Sequence, residues 1–391
     1  MVFVDRSSTL PHAGAVRHRH PETIREGRAT DAYFERTVET LDYAGKNPHV
    51  VAEVTADQFP TGEFEVFAGI ADAARLLAGC DIAVDAFHEG QLFDGGPVMS
   101  IEGPYLDFAR LETALLGFLS QASGMATNAL RARRTVPDSS LLSFGARHVH
   151  PSIAAVVERS ALLGGFDGFS HVAAGELLGR EASGTMPHAL VIAFGKGNQE
   201  AAWTAFDEAV ADSVPRITLC DTYSDEVDEV LRAADALGEN LDSVRIDTTG
   251  SRRGDIRHII REVRWELDAR GREDVEVFVS GGLDPDALGD LRDVAAGFGV
   301  GGYVSNADPV DFALDIVAID GEPAAKRGKL SGKKQVYRTD DGGHHVALAG
   351  TESEGEPLLE PLLRDGELVR EFDLDTATDR ARADAAAVDF V

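Results

Sequence analysis

The sequence predicts an α/β protein: a mixed N-terminal domain, then an α/β barrel, then a small C-terminal lobe. Three observations carry this. From about residue 137 short apolar segments alternate with amphipathic helical stretches, as parallel strands joined by crossover helices require. About seven or eight such units in roughly 190 residues favour a barrel over a doubly wound sheet. Before residue 135 and after about 335 that rhythm is absent.

In the N-terminal part, residues 31–45 and 106–135 read as helices, the second with a stripe of Leu111, Leu115, Leu119 and Ala122. Residues 50–54, 63–66 and 98–101 read as short strands. Barrel strands are expected at 141–144, 168–172, 189–194, 216–220, 243–246, 275–279, 298–304 and 312–319, the 189–194 run being equally compatible with a helix. Helices are expected over 198–212, 226–237, 255–270 and 285–296. The tail carries a Gly342-Gly343 turn, short strands and a final Ala-rich helix from 376. It forms a separate lobe or packs back on the first domain.

Composition narrows the function. The 391 residues include 37 Lys plus Arg against 67 Asp plus Glu, a net charge of -30 and a pI near 4.7. A nucleic-acid binder needs a basic footprint, so that class is excluded. The hydrophobic share of 43% supports a sizeable core. The most apolar stretch, 68–87, is interrupted by Asp72, Arg75, Asp81 and Asp85, so no membrane span is expected. The first residues lack the pattern of a secretory signal, and two cysteines, Cys80 and Cys220, give neither a disulfide framework nor a zinc cluster. A cytoplasmic location is expected. Only six of the 37 basic residues are lysines (46, 196, 326, 329, 333 and 334). That imbalance suits a salt-rich cytoplasm, where a Debye length of about 3 Å at molar salt screens self-repulsion.

The expected strand ends are polar in an organised way. The 141–144 strand runs into Gly145-Ala146-Arg147-His148, 216–220 into Asp221, 243–246 into Asp247-Thr248-Thr249-Gly250, and 275–279 into Ser280-Gly281-Gly282; the next strand contains Gly299, Gly301 and Gly302. One Asp after a strand is usually a helix cap, and one glycine pair usually a turn. Their recurrence at successive barrel mouths points to a site. The glycine segments allow backbone N–H groups to approach a phosphate. Asp221 and Asp247 suit Mg²⁺ or a developing cation. Residues 326–334 carry four of the six lysines, among them Lys326 and Lys329, on a glycine-punctuated loop, which favours an anion site over a merely solvated face. His188 closes Gly184-Thr185-Met186-Pro187-His188, and spacing alone leaves it structural or catalytic. Cys220 reads as a small buried side chain, Cys80 as inert, and His12, His18 and His20 as surface.

Through 31–37, 111–116, 123–127, 143–151, 184–188, 244–247, 280–283 and 326–334 the sequence resembles nicotinate phosphoribosyltransferases, especially the archaeal branch. The resemblance implies a type II phosphoribosyltransferase fold: an N-terminal α/β sandwich domain over 1–135, an irregular α/β barrel over 136–334, and a C-terminal lobe over 335–391 packing back on the first domain. It implies transfer of phosphoribose from phosphoribosyl pyrophosphate to nicotinate, coupled to ATP hydrolysis through a phosphorylated His188, with Mg²⁺. It further implies that Gly281, Gly282, Gly301 and Gly302 cradle the 5-phosphate, with Ser280, Gly299, Thr185 and Arg245 in the same pocket. Asp221 and Asp247 would face ribose and metal, Arg147 would bind the nicotinate carboxylate, and Lys326 and Lys329 would contact phosphate. Tyr33 would stack on the pyridine from a neighbouring subunit of a homo-oligomer. Two departures stand out. No Cys follows Cys220, so the zinc knuckle of some archaeal relatives is missing, and the 247–255 segment is longer than usual, leaving Asp247 and Asp255 both open as metal ligands.

Quinolinate phosphoribosyltransferase shares the fold implied, but its doubly acidic substrate needs more cations than Ser143-Phe144-Gly145-Ala146-Arg147 offers. A nicotinamide-specific enzyme would not need Arg147. A sugar-phosphate aldolase or isomerase would want an interior lysine, and none lies between 196 and 326. A non-enzymatic binder of phosphoribosyl pyrophosphate would release no pyrophosphate.

Overall fold

Residues 21–60, 63–247, 254–340, 342–388 and 390 are described in a computed structural model. His12, His18 and His20, and residues 248–253 of the long segment after Asp247, lie outside them.

Two sheets organise the chain. The first takes β1 (His49–Gln58), β2 (Ala83–Ala86) and β3 (Pro97–Pro104) from the N-terminal part. The second is wholly parallel: β4 (Ser140–Ser143), β5 (Gly168–Phe169), β6 (Ile217–Leu219), β7 (Ser243–Ile246), β8 (Glu276–Ser280) and β9 (Gly297–Val300), in the order β5-β4-β9-β8-β7-β6. Its strands are near-continuous apolar runs such as Val277-Phe278-Val279, which suits a sheet covered on both faces. It curls into an irregular barrel whose edge strands, β5 and β6, are not paired to each other. The chain then returns to the first sheet through β10 (Asp311–Ile319) and β11 (Glu360–Arg364), giving an antiparallel order β10-β1-β3-β2-β11 flanked by two short strands. Lys334–Arg338, His344–Leu348 and Glu356–Pro357 make a small sheet of their own.

Four expectations change. Residues 188–194 form a helix, not a strand: Pro187 precedes its first turn, Gly195 at φ +91° ends it, and a short apolar run cannot by itself decide between the two. The 312–319 strand is antiparallel to β1 in the first sheet, not a barrel strand, because a strand's own pattern does not name its partner. Strand character ends at Val300 and at Phe169, with Gly302 and Val172 already helical. The parallel sheet therefore has six strands. The helix expected from 106 starts at Glu112, because Phe108 at φ −130° interrupts two preceding turns of tighter helix.

The Glu112–Thr135 helix joins the layers. Leu115 and Leu119 pack with the first sheet, while Met125, Ala129 and Ala132 pack under the barrel. Gly124 is needed there, since a Cβ would lie 2.1 Å from the Asp308 carbonyl oxygen on the approach to β10. The C-terminal helix Leu374–Ala387 lays Ala377, Ala381 and Ala385 against Ala126, Leu130 and Leu163. Among the described residues no helix is long and apolar enough to cross a membrane.

Candidate active site

All six parallel strands point their C-terminal ends to one side, so the loops after them share a mouth. The mouth opens on a cavity of about 910 Å³ lined by Phe144, Arg147, His171, Thr185, His188, Arg245 and Asp247, among others.

His188 lines it from the first position of its helix. Its Nε2 lies 2.9 Å from Asp221 Oδ1, and its Nδ1 lies 3.8 Å from Asp247 Oδ2. Asp221, buried at the end of β6, also accepts the Asp247 backbone N–H through Oδ2 at 2.7 Å, so the ends of β6 and β7 are tied together. The hydrogen bond that His188 donates to the Asp221 carboxylate raises the His188 pKa above its ordinary value; burial opposes this, and the charges of Asp221 and Asp247 add to it. Asp247 Oδ1 accepts from the Ser280 hydroxyl at 2.5 Å. Arg245, nearly buried on β7, donates to Ser280 Oγ at 3.4 Å and to the Met186 carbonyl at 3.2 Å, which holds the loop ahead of His188. Its guanidinium lies 5.7 Å from the centre of the Phe144 ring. Burial lowers the Arg245 pKa, and the neighbouring carboxylates oppose that shift. Arg147 is exposed in the loop after β4.

The expected phosphate glycines follow the neighbouring strands β8 and β9. Gly281 and Gly282 adopt φ of +102° and +72°. A Cβ on Gly301 would lie 2.8 Å from His148 Cε1 and 3.0 Å from the Phe144 carbonyl oxygen, so this turn tolerates no side chain. Gly299 lies within β9 with Phe144 pressed on it. Thr185 lines the cavity. Asp255 caps the Ile256–Asp268 helix by accepting the His258 N–H at 3.2 Å, whereas Asp247 lines the cavity.

Tyr33, Lys326 and Lys329 are not brought to this mouth. Tyr33 is 56% exposed on the Ala32–Tyr43 helix, its hydroxyl donating to Asp31. Lys326 and Lys329 reach Asp315 of β10 at 2.6 and 3.3 Å. Their charges neutralise a carboxylate of the antiparallel sheet.

Three contributors escaped sequence reading. Phe144 and His171 line the cavity; their position directly after apolar strands was the available signal. Glu229, buried in the Glu226–Leu237 helix, accepts the backbone N–H groups of Thr222, Tyr223 and Ser224 at 2.7–2.9 Å and so fixes the turn after Asp221. A carboxylate among apolar helix positions was its only signal. As for metal, no cluster of three or more ligating side chains occurs among the described residues. The hard oxygens of Asp247 and Asp221 nevertheless fit Mg²⁺, whose remaining ligands are commonly water and substrate phosphate.

A curled parallel sheet with carboxylates, a histidine and glycine turns at its strand ends has the make-up of an α/β-barrel enzyme acting on a phosphorylated substrate. Comparison with known proteins is more specific. Residues 31–123 match the N-terminal domain of quinolinate phosphoribosyl transferase, and residues 125–315 match its C-terminal domain. A nicotinate phosphoribosyltransferase of Mycobacterium tuberculosis is 33% identical over 332 residues, covering 79% of this chain and 70% of that one. The Homo sapiens nicotinate phosphoribosyltransferase is 29% identical over 357 residues, covering 74% and 64% respectively. A crystal structure of nicotinate-nucleotide pyrophosphorylase from Pyrococcus furiosus superposes with a TM-score of 0.91 at 46% identity, covering 96% of this chain and 98% of that one. The chain belongs to the phosphoribosyltransferase family that these domains and relatives define.

Proposed function

We propose that this protein transfers the phosphoribosyl group of phosphoribosyl pyrophosphate to the ring nitrogen of nicotinate, forming nicotinate mononucleotide and pyrophosphate for NAD synthesis. The observation that carries the reading is the bonded set His188–Asp221–Asp247–Ser280–Arg245 facing a cavity with Arg147 at its edge. Departure of pyrophosphate leaves positive charge on the ribose. Asp247, with one oxygen turned to the cavity, is placed to stabilise that charge. Gly281, Gly282, Gly301 and Gly302 offer backbone to the 5-phosphate, and Arg147 offers a planar guanidinium to one carboxylate. Bound Mg²⁺, held by Asp247 and Asp221, would supply charge neutralisation for the pyrophosphate.

ATP coupling belongs to the same reading. Asp221 fixes Nε2, so Nδ1 is the His188 nitrogen left to take a phosphoryl group. Tyr33 and the lysine loop would complete the site from a second copy of the chain, which makes a homo-oligomer the expected form.

The rival is quinolinate, favoured by the names of the matched domains and of the Pyrococcus furiosus protein. Against it, Arg245 is buried and donates to Ser280 and to the Met186 carbonyl, so Arg147 is the exposed guanidinium that the cavity lining offers to a carboxylate. The test compares nicotinate, nicotinamide and quinolinate, each with and without ATP, reading pyrophosphate, mononucleotide and carbon dioxide. Product from nicotinate, stimulated by ATP, is expected; carbon dioxide released from quinolinate at a comparable rate would overturn the assignment.

A further inference from the structure

We infer that Glu158 is a positioning residue of the transfer site, holding the ends of β4 and β5 in place directly behind the cavity wall. The inference rests on the proposed function above for what the cavity holds. Glu158 lies in the Ala154–Leu163 helix and is fully buried. Both of its carboxyl oxygens are shut off from solvent without a partner in good hydrogen-bond geometry, and so is the hydroxyl of buried Ser143. Ser143 is the last residue of β4, and its carbonyl accepts the Ser170 N–H at 3.1 Å just after β5. The Glu158 carboxyl faces the Ser143 hydroxyl and the His171 and Ser170 N–H groups. The residues that follow these contacts in the chain, Phe144, Arg147 and His171, line the cavity, as does Ser170.

A helix needing only to pack here would carry Leu or Met, because burying an acid without full partners is costly. Burial pushes the Glu158 pKa up to about 7, with Ser143 and the two backbone groups opposing. Near neutral pH the group is therefore poised between a neutral acid, which both donates and accepts, and a buried anion. Charged groups on the surrounding elements are engaged elsewhere. Arg133 bonds Asp167 and Gly165, Arg382 bonds Gly165, His148 meets Ser305, and His171 caps its own helix, while Arg147 and Glu176 face the cavity. Ionisation would put an unmatched charge beneath two cavity-lining loops.

Glu158→Gln keeps a neutral donor and acceptor, whereas Glu158→Met keeps only volume. Mononucleotide formation by both variants and wild type, followed across pH, gives KM and kcat for each substrate. The wild-type KM is expected to rise several-fold above about pH 7, and Gln should abolish that rise. Met should raise KM several-fold at every pH while changing kcat less than about twofold. Titration of His188 or of substrate phosphate is common to all three proteins and cancels in the comparison. A Gln profile superimposed on wild type, or a Met variant with wild-type KM, overturns the inference. Thermal melts supply a readout that needs no substrate. An acid whose folded pKa is raised leaves full stability below its unfolded pKa and loses it as pH rises towards the folded value. Between about pH 5 and 7.5, wild type should therefore lose about 2 °C or more of Tm relative to Gln. Parallel melts would overturn the inference whatever the substrate proves to be.

Discussion

At the barrel mouth, acids and a histidine bond to one another and leave Arg147 facing the cavity; in the 326–334 loop every lysine is matched to a carboxylate. Lys333 meets Asp85 and Glu102, and Lys334 lies 2.7 Å from buried Glu53. Lys326 and Lys329 share Asp315, beside Glu112, whose pKa is pushed up to about 7 by burial first and then by Asp315. The mouth gathers its bonded polar groups and its cavity within one chain. The lysine loop is a structural clamp on the antiparallel sheet, and any ligand role for it needs an arrangement that one copy does not supply. Residues alike in charge thus differ by what they are already bonded to.

The largest expected effect separates surface charge from both regions. At a net charge of -30 the chain should unfold or lose activity below about molar salt, because self-repulsion is then unscreened. Melts that coincide in dilute buffer and multimolar KCl would refute this. Within the lysine loop, Lys334→Met leaves the Glu53 carboxylate buried without its cation, keeping only the backbone N–H of residue 334, and chemical denaturation should show a loss of about 3 kcal/mol.

At the mouth, Asp247→Asn keeps shape and removes charge, so kcat should fall about 10²-fold with little change in Tm. Activity within about threefold of wild type would reduce Asp247 to a structural tie. His188→Ala should remove ATP hydrolysis and the ATP-dependent gain while leaving slow transfer. Because the folded His188 pKa is raised, its pairing with Asp221 stabilises fully below the unfolded pKa and is lost as pH rises through the folded value. The Tm gap between wild type and His188→Ala should close as pH rises above the ordinary histidine range, while ATP stimulation of wild type grows as the imidazole loses its proton.

The smallest effect on stability belongs to Lys326→Ala, whose side chain is 64% exposed: under about 1 kcal/mol. If a second copy delivers this loop to the mouth, mixing Lys326→Ala and Asp247→Asn subunits should recover part of the activity each lacks. No recovery from mixed, re-formed oligomers would confine the loop to its clamp.

Sequence alone determined the barrel, because parallel βα units impose their own period and the mouth residues follow directly on apolar strands. Asp221, Asp247 and Ser280 were legible for that reason: chain position at the end of a strand fixes the end of the barrel to which a residue belongs. Arg245, inside a strand, and His188, at a helix start, were singled out through the family resemblance. It also determined the excess of acid and the scarcity of lysine. Tertiary structure decided the rest. The 188–194 run became a helix and the 312–319 strand left for the first sheet, since local periodicity says nothing about partners far along the chain. It turned Asp247 to the cavity and Asp255 to a helix cap. It placed Glu229 and Glu158 behind the mouth, and bound the lysines to Asp315, Asp85, Glu102 and Glu53. These are contacts between residues distant in sequence, and a charge takes its meaning from the neighbour that folding provides.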